Sequence, residues 1–391
     1  MQSDEPNVRK YVIGESWMNT GSDRFLRSDA ELQDGATNQI QPGGGRRTLS
    51  WPKAIVFSIL PILFLLLIGE GGLRVYSWYF RTAYERYNAS TGRLELVPNL
   101  QVKIPGGPSI RINSKGFVGV EFADVKPAGS YRVFTLGDSC TFAGDWDVSY
   151  SAFLGGMLNA DGQRYEVINA GIEGYNSEYA LGRIRDDILK YDPDLVTIYI
   201  GWNDLMKVSP SNMSSSGRVT WLGAALNHSY LYKGLSKVMF FQIRPMLMQP
   251  GLTGDESEYH VFDQFVPATY EENVSAMVAL LRERNVRVLL LTRPTVLTRN
   301  MSAEDLRAQH VFFPFFPEAY SVPWLLSLHD AYNNSVRRLA ERLQVPLVDL
   351  DEIFNQRNKR PLFWDTMHPS DEGHQVIAEV LAPRIRALTT H

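Results

Sequence analysis

Between Tyr131 and Leu388, short β-rich runs alternate with helix-like segments, and polar clusters follow directly after the β-rich runs. The runs are Tyr131–Leu136, Tyr165–Ile168, Leu195–Ile200, Val286–Leu291 and Val345–Leu350. The helix-like segments are Tyr179–Tyr191, Tyr270–Arg284, Asp330–Leu343 and Asp371 to Leu388. This order predicts an α/β fold, a parallel sheet covered by helices on both faces. Such sheets carry their chemistry at the carboxyl ends of the strands.

The chain upstream of Tyr131 divides into three parts. Residues 1–50 are polar, lack apolar periodicity and read as a disordered tail. From Ala54 to Gly69 no residue is charged, and Ile, Leu, Phe and Val dominate. With its flanks, 51–73, this run is long enough for about 30 Å of hydrocarbon and predicts a transmembrane helix kinked at Pro61. Its position some fifty residues into the chain argues against a cleaved signal peptide. Basic residues flank both ends, Arg46, Arg47 and Lys53 before it and Arg74, Arg81 and Arg86 after it, so charge barely decides orientation. The expectation is a single-pass membrane protein with the tail inside and the catalytic domain periplasmic or otherwise extracytoplasmic. Residues 74–130 read as a small strand-containing lead-in, with a turn at Asn113-Ser114-Lys115-Gly116-Phe117.

About 315 residues remain for folded mass, enough for one large domain with insertions over 131–391. The formal net charge of −4 and the lack of a basic stripe leave no case for nucleic acid. One cysteine, Cys140, excludes an intramolecular disulfide framework and a multi-cysteine zinc site. No histidine has a metal-ligand partner at useful spacing, and no dinucleotide or P-loop motif occurs, so neither metal nor cofactor is expected. Six Asn-x-Ser sequons leave a luminal eukaryotic setting open. Oligomeric state is not readable.

Four polar blocks follow the β-rich runs. Gly137-Asp138-Ser139 follows the first, which places Ser139 at a strand-to-helix turn. A serine hydroxyl needs a base to take its proton and donors to hold an oxyanion. Asn169-Ala170-Gly171-Ile172-Glu173-Gly174 follows the second run, where a glycine lets a backbone N–H approach substrate. Gly201-Trp202-Asn203-Asp204 follows the third, and the Asn203 amide is a second donor of the right kind. Asp365-Thr366-Met367-His368-Pro369 precedes the last helix. Asp and His three apart in a turn set the carboxylate on the imidazole and fix its tautomer. Asp371 and His374 repeat the spacing, but His374 falls in helix register with Ile377, Ala378 and Leu381, a packing position. His368 precedes proline and so lies in extended chain. Cys140 reads as a small packed residue.

In this order the four blocks resemble the SGNH/GDSL hydrolases, over about 131–388. The resemblance implies a flavodoxin-like three-layer α/β/α domain and ester or acyl chemistry. It implies Ser139 as nucleophile, His368 as base and Asp365 as its orienting partner. The oxyanion hole would be the Ser139 and Gly174 backbone N–H groups with the Asn203 side chain, Gly171 being a rival to Gly174. The anchored layout resembles bacterial envelope members. Because the family includes thioesterases, lipases, carbohydrate esterases and acetyl transferases, the substrate stays open. The leading expectation is an esterase that removes acyl groups, acetyl foremost, from a glycan or a small ester. An acyltransferase to a sugar hydroxyl, a lipase or thioesterase, and a catalytically silent binding module are the alternatives. Two segments exceed a minimal domain, 205–269 and 294–328, with aromatic and Met-rich stretches at Met239-Phe240-Phe241, Met246-Leu247-Met248 and Val311–Pro317. They suit walls of the site, satellite packing, or contact with the bilayer interface.

Overall fold

A computed structural model describes residues 50–80, 84–103, 109–206, 208, 229–239, 243, 256–299, 301–309 and 321–389. Residues 1–49, and the stretches Phe240-Phe241, Met246-Leu247-Met248 and Val311–Pro317, lie outside the described residues. The chain forms two units, Met1–Ile68 and Gly69–His391.

The central sheet has five strands: β5 (Tyr131–Gly137), β6 (Tyr165–Asn169), β7 (Leu195–Tyr199), β8 (Arg287–Leu291) and β9 (Leu347–Val348). Their order is β6-β5-β7-β8-β9 and every pairing is parallel. All five residues of β7 are buried, as a sheet covered on both faces requires. The order reverses between β5 and β7, the flavodoxin-like switch point where open α/β sheets form their crevice. The helices of this layer system are α3 (Tyr150–Asn159), α4 (Ser177–Arg183), α7 (Ala268–Arg282), α9 (Val322–Leu343) and α11 (Asp371–Thr389). Helices α3 and α11 pack together, as do α4 with α7 and α7 with α9. Short helices α2 (Ser139–Phe142) and α5 (Trp202–Leu205) start directly after β5 and β7. Three others, α6 (Tyr230–Val238), α8 (Ala303–Ala308) and α10 (Leu350–Asn355), complete the described set.

Upstream, α1 (Trp51–Phe80) runs through Pro61. Within it, Val56–Tyr76 is long and apolar enough to cross a membrane. Two antiparallel hairpins follow, β1 (Glu85–Asn88) with β2 (Arg93–Leu96), and β3 (Leu100–Lys103) with β4 (Ser109–Ile112). The turn after β4 is organised by Asn113, whose Oδ1 accepts the Lys115 and Phe117 N–H groups, both at 3.0 Å. Phe117, fully buried, packs edge-on against Phe134 of β5.

Several elements differ from their sequence-based bounds, and in three the cause is visible. Helix α9 starts at Val322, inside the segment assigned to the 294–328 insertion. Ser321 caps the Trp324 N–H, Pro323 sits in the first turn, and Val322, Trp324, Leu325, Leu326 and Leu328 are buried. That turn is apolar on every side, so no 3.6-residue period marks it. Helix α4 starts at Ser177 under an Asn176 cap and widens to a π turn at Ile184–Ile188. Strand β9 is only two residues long, because Asp349 turns away to cap α10 and bind Arg337.

Candidate active site

Strand β5 delivers Asp138 and Ser139 to the carboxyl edge of the sheet. The turn is tight: a Cβ on Gly137 would collide with Thr141 Oγ1 and the Tyr199 carbonyl. Asp138 Oδ1 caps α2 by accepting the Cys140 N–H at 3.0 Å. Ser139, partly buried, opens that helix, and its Oγ lies 2.8 Å from His368 Nε2.

His368 and Asp365 sit in a closed loop before α11. Trp364 N–H donates to the His368 carbonyl at 2.9 Å, and Ser370 N–H to that of Leu362 at 3.0 Å. Asp365 Oδ1 accepts the Met367 and His368 N–H groups, both at 2.9 Å. Its Oδ2 lies 2.7 Å from His368 Nδ1. A carboxylate can only accept, so Nδ1 carries the hydrogen and Nε2 faces Ser139 Oγ with a lone pair. Burial pulls the imidazole down, but the hydrogen bond and charge of Asp365, with the charges of Asp138 and Glu173, outweigh it and leave His368 above its ordinary value. Burial pushes Asp365 up, and its bonds to His368 and Met367 bring it net below the usual carboxylate range.

Two contacts brace this arrangement. Thr295, in the loop after β8, donates its hydroxyl to the Thr366 carbonyl at 2.7 Å. Cys140 is fully buried and its Sγ donates to the Met367 carbonyl at 3.4 Å, tying the helix that Ser139 opens to the Asp–His loop. Burial pushes that thiol well up, so it is held as a neutral packed group.

The loop after β6 carries both candidate glycines. The Gly171 N–H is committed to Asn169 Oδ1 at 2.9 Å, and a Cβ there would strike the Thr141–Phe142 backbone. Gly171 is therefore a spacer against α2. Gly174 is exposed, with φ of 71°, and its N–H has no hydrogen bond among the described residues. Asn203, in α5, donates one amide hydrogen to the Tyr175 carbonyl at 2.9 Å, and the other has no acceptor among the described residues. Its neighbour Asp204 accepts from the Ser177 N–H at 2.9 Å and the Ser177 hydroxyl at 2.5 Å. The loop of Gly174 and the helix of Asn203 are thus pinned to each other.

Residues without a sequence signal complete the site. Tyr84, before β1, donates to Glu173 at 2.7 Å and stacks on Phe142 with ring centroids 5.6 Å apart. Burial, with the Glu173 charge, raises its phenol. Arg293, after β8, is fully buried and donates to the Ile200 carbonyl at 2.6 Å and to Tyr270 at 2.9 Å. Its charge offsets part of the burial of Asp138. Both act across long sequence separations, which no local pattern records.

The other histidines have other tasks. His374 stacks on Tyr150, and burial, helped by the His368 charge, pulls it down to about 3. His329 lies against Trp202 and bonds the Arg293 carbonyl at 2.6 Å. His260 is exposed beside Asp263, while His228, His310 and His391 lie outside the described residues. His329, Asp330 and Asp351 bring three possible metal-ligand atoms within 4.8 Å of one another. Arg337, 3.2 Å from Asp351, already supplies a positive partner there.

The model of the GDSL-like lipase/acylhydrolase family matches residues 135–376. Among solved structures, the acetyl xylan esterase AlAXEase is 22% identical, covers 65% of this chain and 99% of its own, and has a TM-score of 0.40. LAE5, an alpha/beta hydrolase enzyme from the metagenome of Lake Arreo, is 21% identical over 64% of this chain and 93% of its own, with a TM-score of 0.39. Axe2, an acetylxylan esterase from Geobacillus stearothermophilus, is 19% identical over 65% of this chain and 94% of its own, with a TM-score of 0.41. No curated protein matches.

Proposed function

Because this chain belongs to the GDSL-like lipase/acylhydrolase family, and is thus an SGNH-type serine hydrolase of ester bonds, we propose that it is a membrane-tethered esterase acting through an acyl-enzyme on Ser139. The observation that carries this reading is the hydrogen-bonded series Ser139 Oγ, His368 and Asp365, with distances of 2.8 and 2.7 Å. His368 Nε2 takes the Ser139 proton as Oγ attacks the ester carbonyl. The oxyanion is held by the Ser139 and Gly174 N–H groups and the free amide hydrogen of Asn203. Collapse of the tetrahedral intermediate breaks the ester C–O bond, and His368 protonates the departing alcohol. Water, deprotonated by His368, then releases the acid and restores Ser139. Asp365 holds the imidazole and steadies its charged form.

The substrate in this reading is an acylated glycan or a related ester, with acetyl as the acyl group. The apolar helix is the tether, the tail lies inside, and the catalytic domain stands in the extracytoplasmic space where such glycans occur. The full chain in detergent micelles should hydrolyse 4-nitrophenyl acetate or butyrate. Ser139→Ala should lose that activity by several orders of magnitude. Equal rates for the two proteins would refute the assignment, as would failure of a fluorophosphonate probe to label Ser139.

A further inference from the structure

We infer that α6 is a second membrane contact, a short amphipathic helix lying in the bilayer interface beside the anchor. The inference rests on reading α1 as a membrane span. Glu70 falls inside that span, six residues before its end at Tyr76. A carboxylate at such a depth is costly unless it is paired. Glu70 accepts from Arg74 at 2.7 Å, from the Ser229 hydroxyl at 2.8 Å, and from the Tyr230 and Leu231 N–H groups at 3.1 and 2.7 Å. Three of these four donors belong to the start of α6. The first N–H groups of a helix have no partner within it and form its positive end, so carboxylate and helix terminus satisfy each other.

The packing agrees. A Cβ on Gly69 would stand 3.4 Å from Leu231 Cδ1, and one on Gly234 would stand 3.6 Å from Leu73 Cδ1. The Arg74 guanidinium lies 5.0 Å from the Tyr230 ring centre. Six residues of helix rise about 9 Å, so α6 starts about 9 Å below the end of the span. Interfacial helices bury their apolar faces to about that depth, 5–10 Å.

The sequence of α6 fits the same place. At 100° per residue, Leu231, Leu235, Val238 and Met239 share one arc, and positions 233, 236 and 237, held by Lys, Ser and Lys, share the opposite one. On the apolar arc Leu235 is 57% exposed and Met239 54%. The occupant of this face is lipid, because the helix is clasped to the membrane helix at interfacial depth. A second tie lies nearby. Four residues of helix from Tyr76 to Phe80 and four of chain to Tyr84 span at most about 20 Å. Tyr84 stacks on Phe142, in the helix that Ser139 opens.

The test uses the full chain in phosphatidylcholine–phosphatidylglycerol vesicles. An environment-sensitive fluorophore is attached at Leu235→Cys or, as reference, at Leu63→Cys in the span; the unsubstituted protein controls for buried Cys140. Both labels should lose emission to nitroxide-bearing lipids and be shielded from aqueous iodide. Glu70→Gln should move the Leu235 label toward iodide and leave the Leu63 label unchanged. A Leu235 label quenched by iodide and not by nitroxide lipid, beside a lipid-quenched Leu63 label, overturns the inference and leaves the tether standing. A Leu235 label shielded from both quenchers means that protein, such as a second copy, covers the face, and overturns it too. Loss of lipid quenching at both positions removes the tether and the inference together.

Discussion

Asp138→Asn separates the charge of the Gly-Asp-Ser motif from its shape. Asp138 is 1% exposed; one carboxylate oxygen caps α2 and the other has no hydrogen-bond partner among the described residues. Burial pushes its carboxyl from 3.8 up to about 6, with the Cys140 N–H and the charges of His368 and Arg293 offsetting only part of the effect. A shift of about 2 pH units corresponds to about 3 kcal/mol. The folded value lies above the unfolded one, so the fold favours the protonated acid. That stability is fully present below the unfolded value near 3.8 and is lost as the pH rises through about 6. Asparagine stays neutral, keeps the shape and caps helices well. The variant should therefore unfold close to wild type at pH 4 and be more stable by up to about 3 kcal/mol above pH 7. In a domain of this size, that is on the order of 5 °C in Tm. Thermal unfolding of the full chain in detergent, followed by tryptophan fluorescence at pH 4.0 and about 7.5, measures it. A Tm difference that is the same at both pH values would refute the reasoning.

The other predictions concern the proposed catalytic groups and the packing beneath Ser139. Asp365→Asn removes the partner that holds His368 above its ordinary value, so the rising limb of the pH–rate profile should move to lower pH while kcat falls by roughly 10³–10⁴. A limb that stays in place would remove Asp365 from that role. Asn203→Ala should lower kcat by about 10²–10³ with little change in KM, measured on a small acyl ester. Gly171→Ala drives a methyl into the backbone of α2 and should cost about 1–3 kcal/mol of stability. Its kcat should fall because Ser139 shifts; an unchanged kcat would mean that α2 tolerates the displacement.

The sheet and the four polar blocks were legible for one shared reason. Parallel strands buried on both faces leave continuous apolar runs, and chemistry collects where those runs stop. Ser139, Gly174 and Asn203 follow β5, β6 and β7, three neighbouring strands of one parallel sheet. The choice of His368 over His374 rested on helix register, and the stack of His374 on Tyr150 matches it. Arg293 was not legible, because its partners Ile200 and Tyr270 are distant in sequence and nothing local marks a buried guanidinium. The preference for Gly174 over Gly171 comes from the family spacing of the blocks alone. The structure adds that the Gly171 N–H is bonded to Asn169 Oδ1 at 2.9 Å, which no local pattern records.

The sequence marks residues 74–130 as a lead-in to the domain, and its described residues bond the segment that follows β6. Arg93 of β2 is 3% exposed and donates to Asp186 at 2.7 Å and Asp187 at 3.3 Å. Asp187 also faces Arg183, whose guanidinium donates to the Gly116 carbonyl at 2.9 Å. The Tyr175 hydroxyl, beside Gly174, donates to the Leu94 carbonyl at 2.6 Å. A chain begun at Tyr131 would lose Arg93, Leu94 and Gly116 together, and Tyr84 with them. The loop that carries Gly174 would then lose its bonds on the lead-in side. The described residues of the lead-in are therefore packed against the loop that carries Gly174 and against α4, through the bonds of Arg93, Leu94 and Gly116.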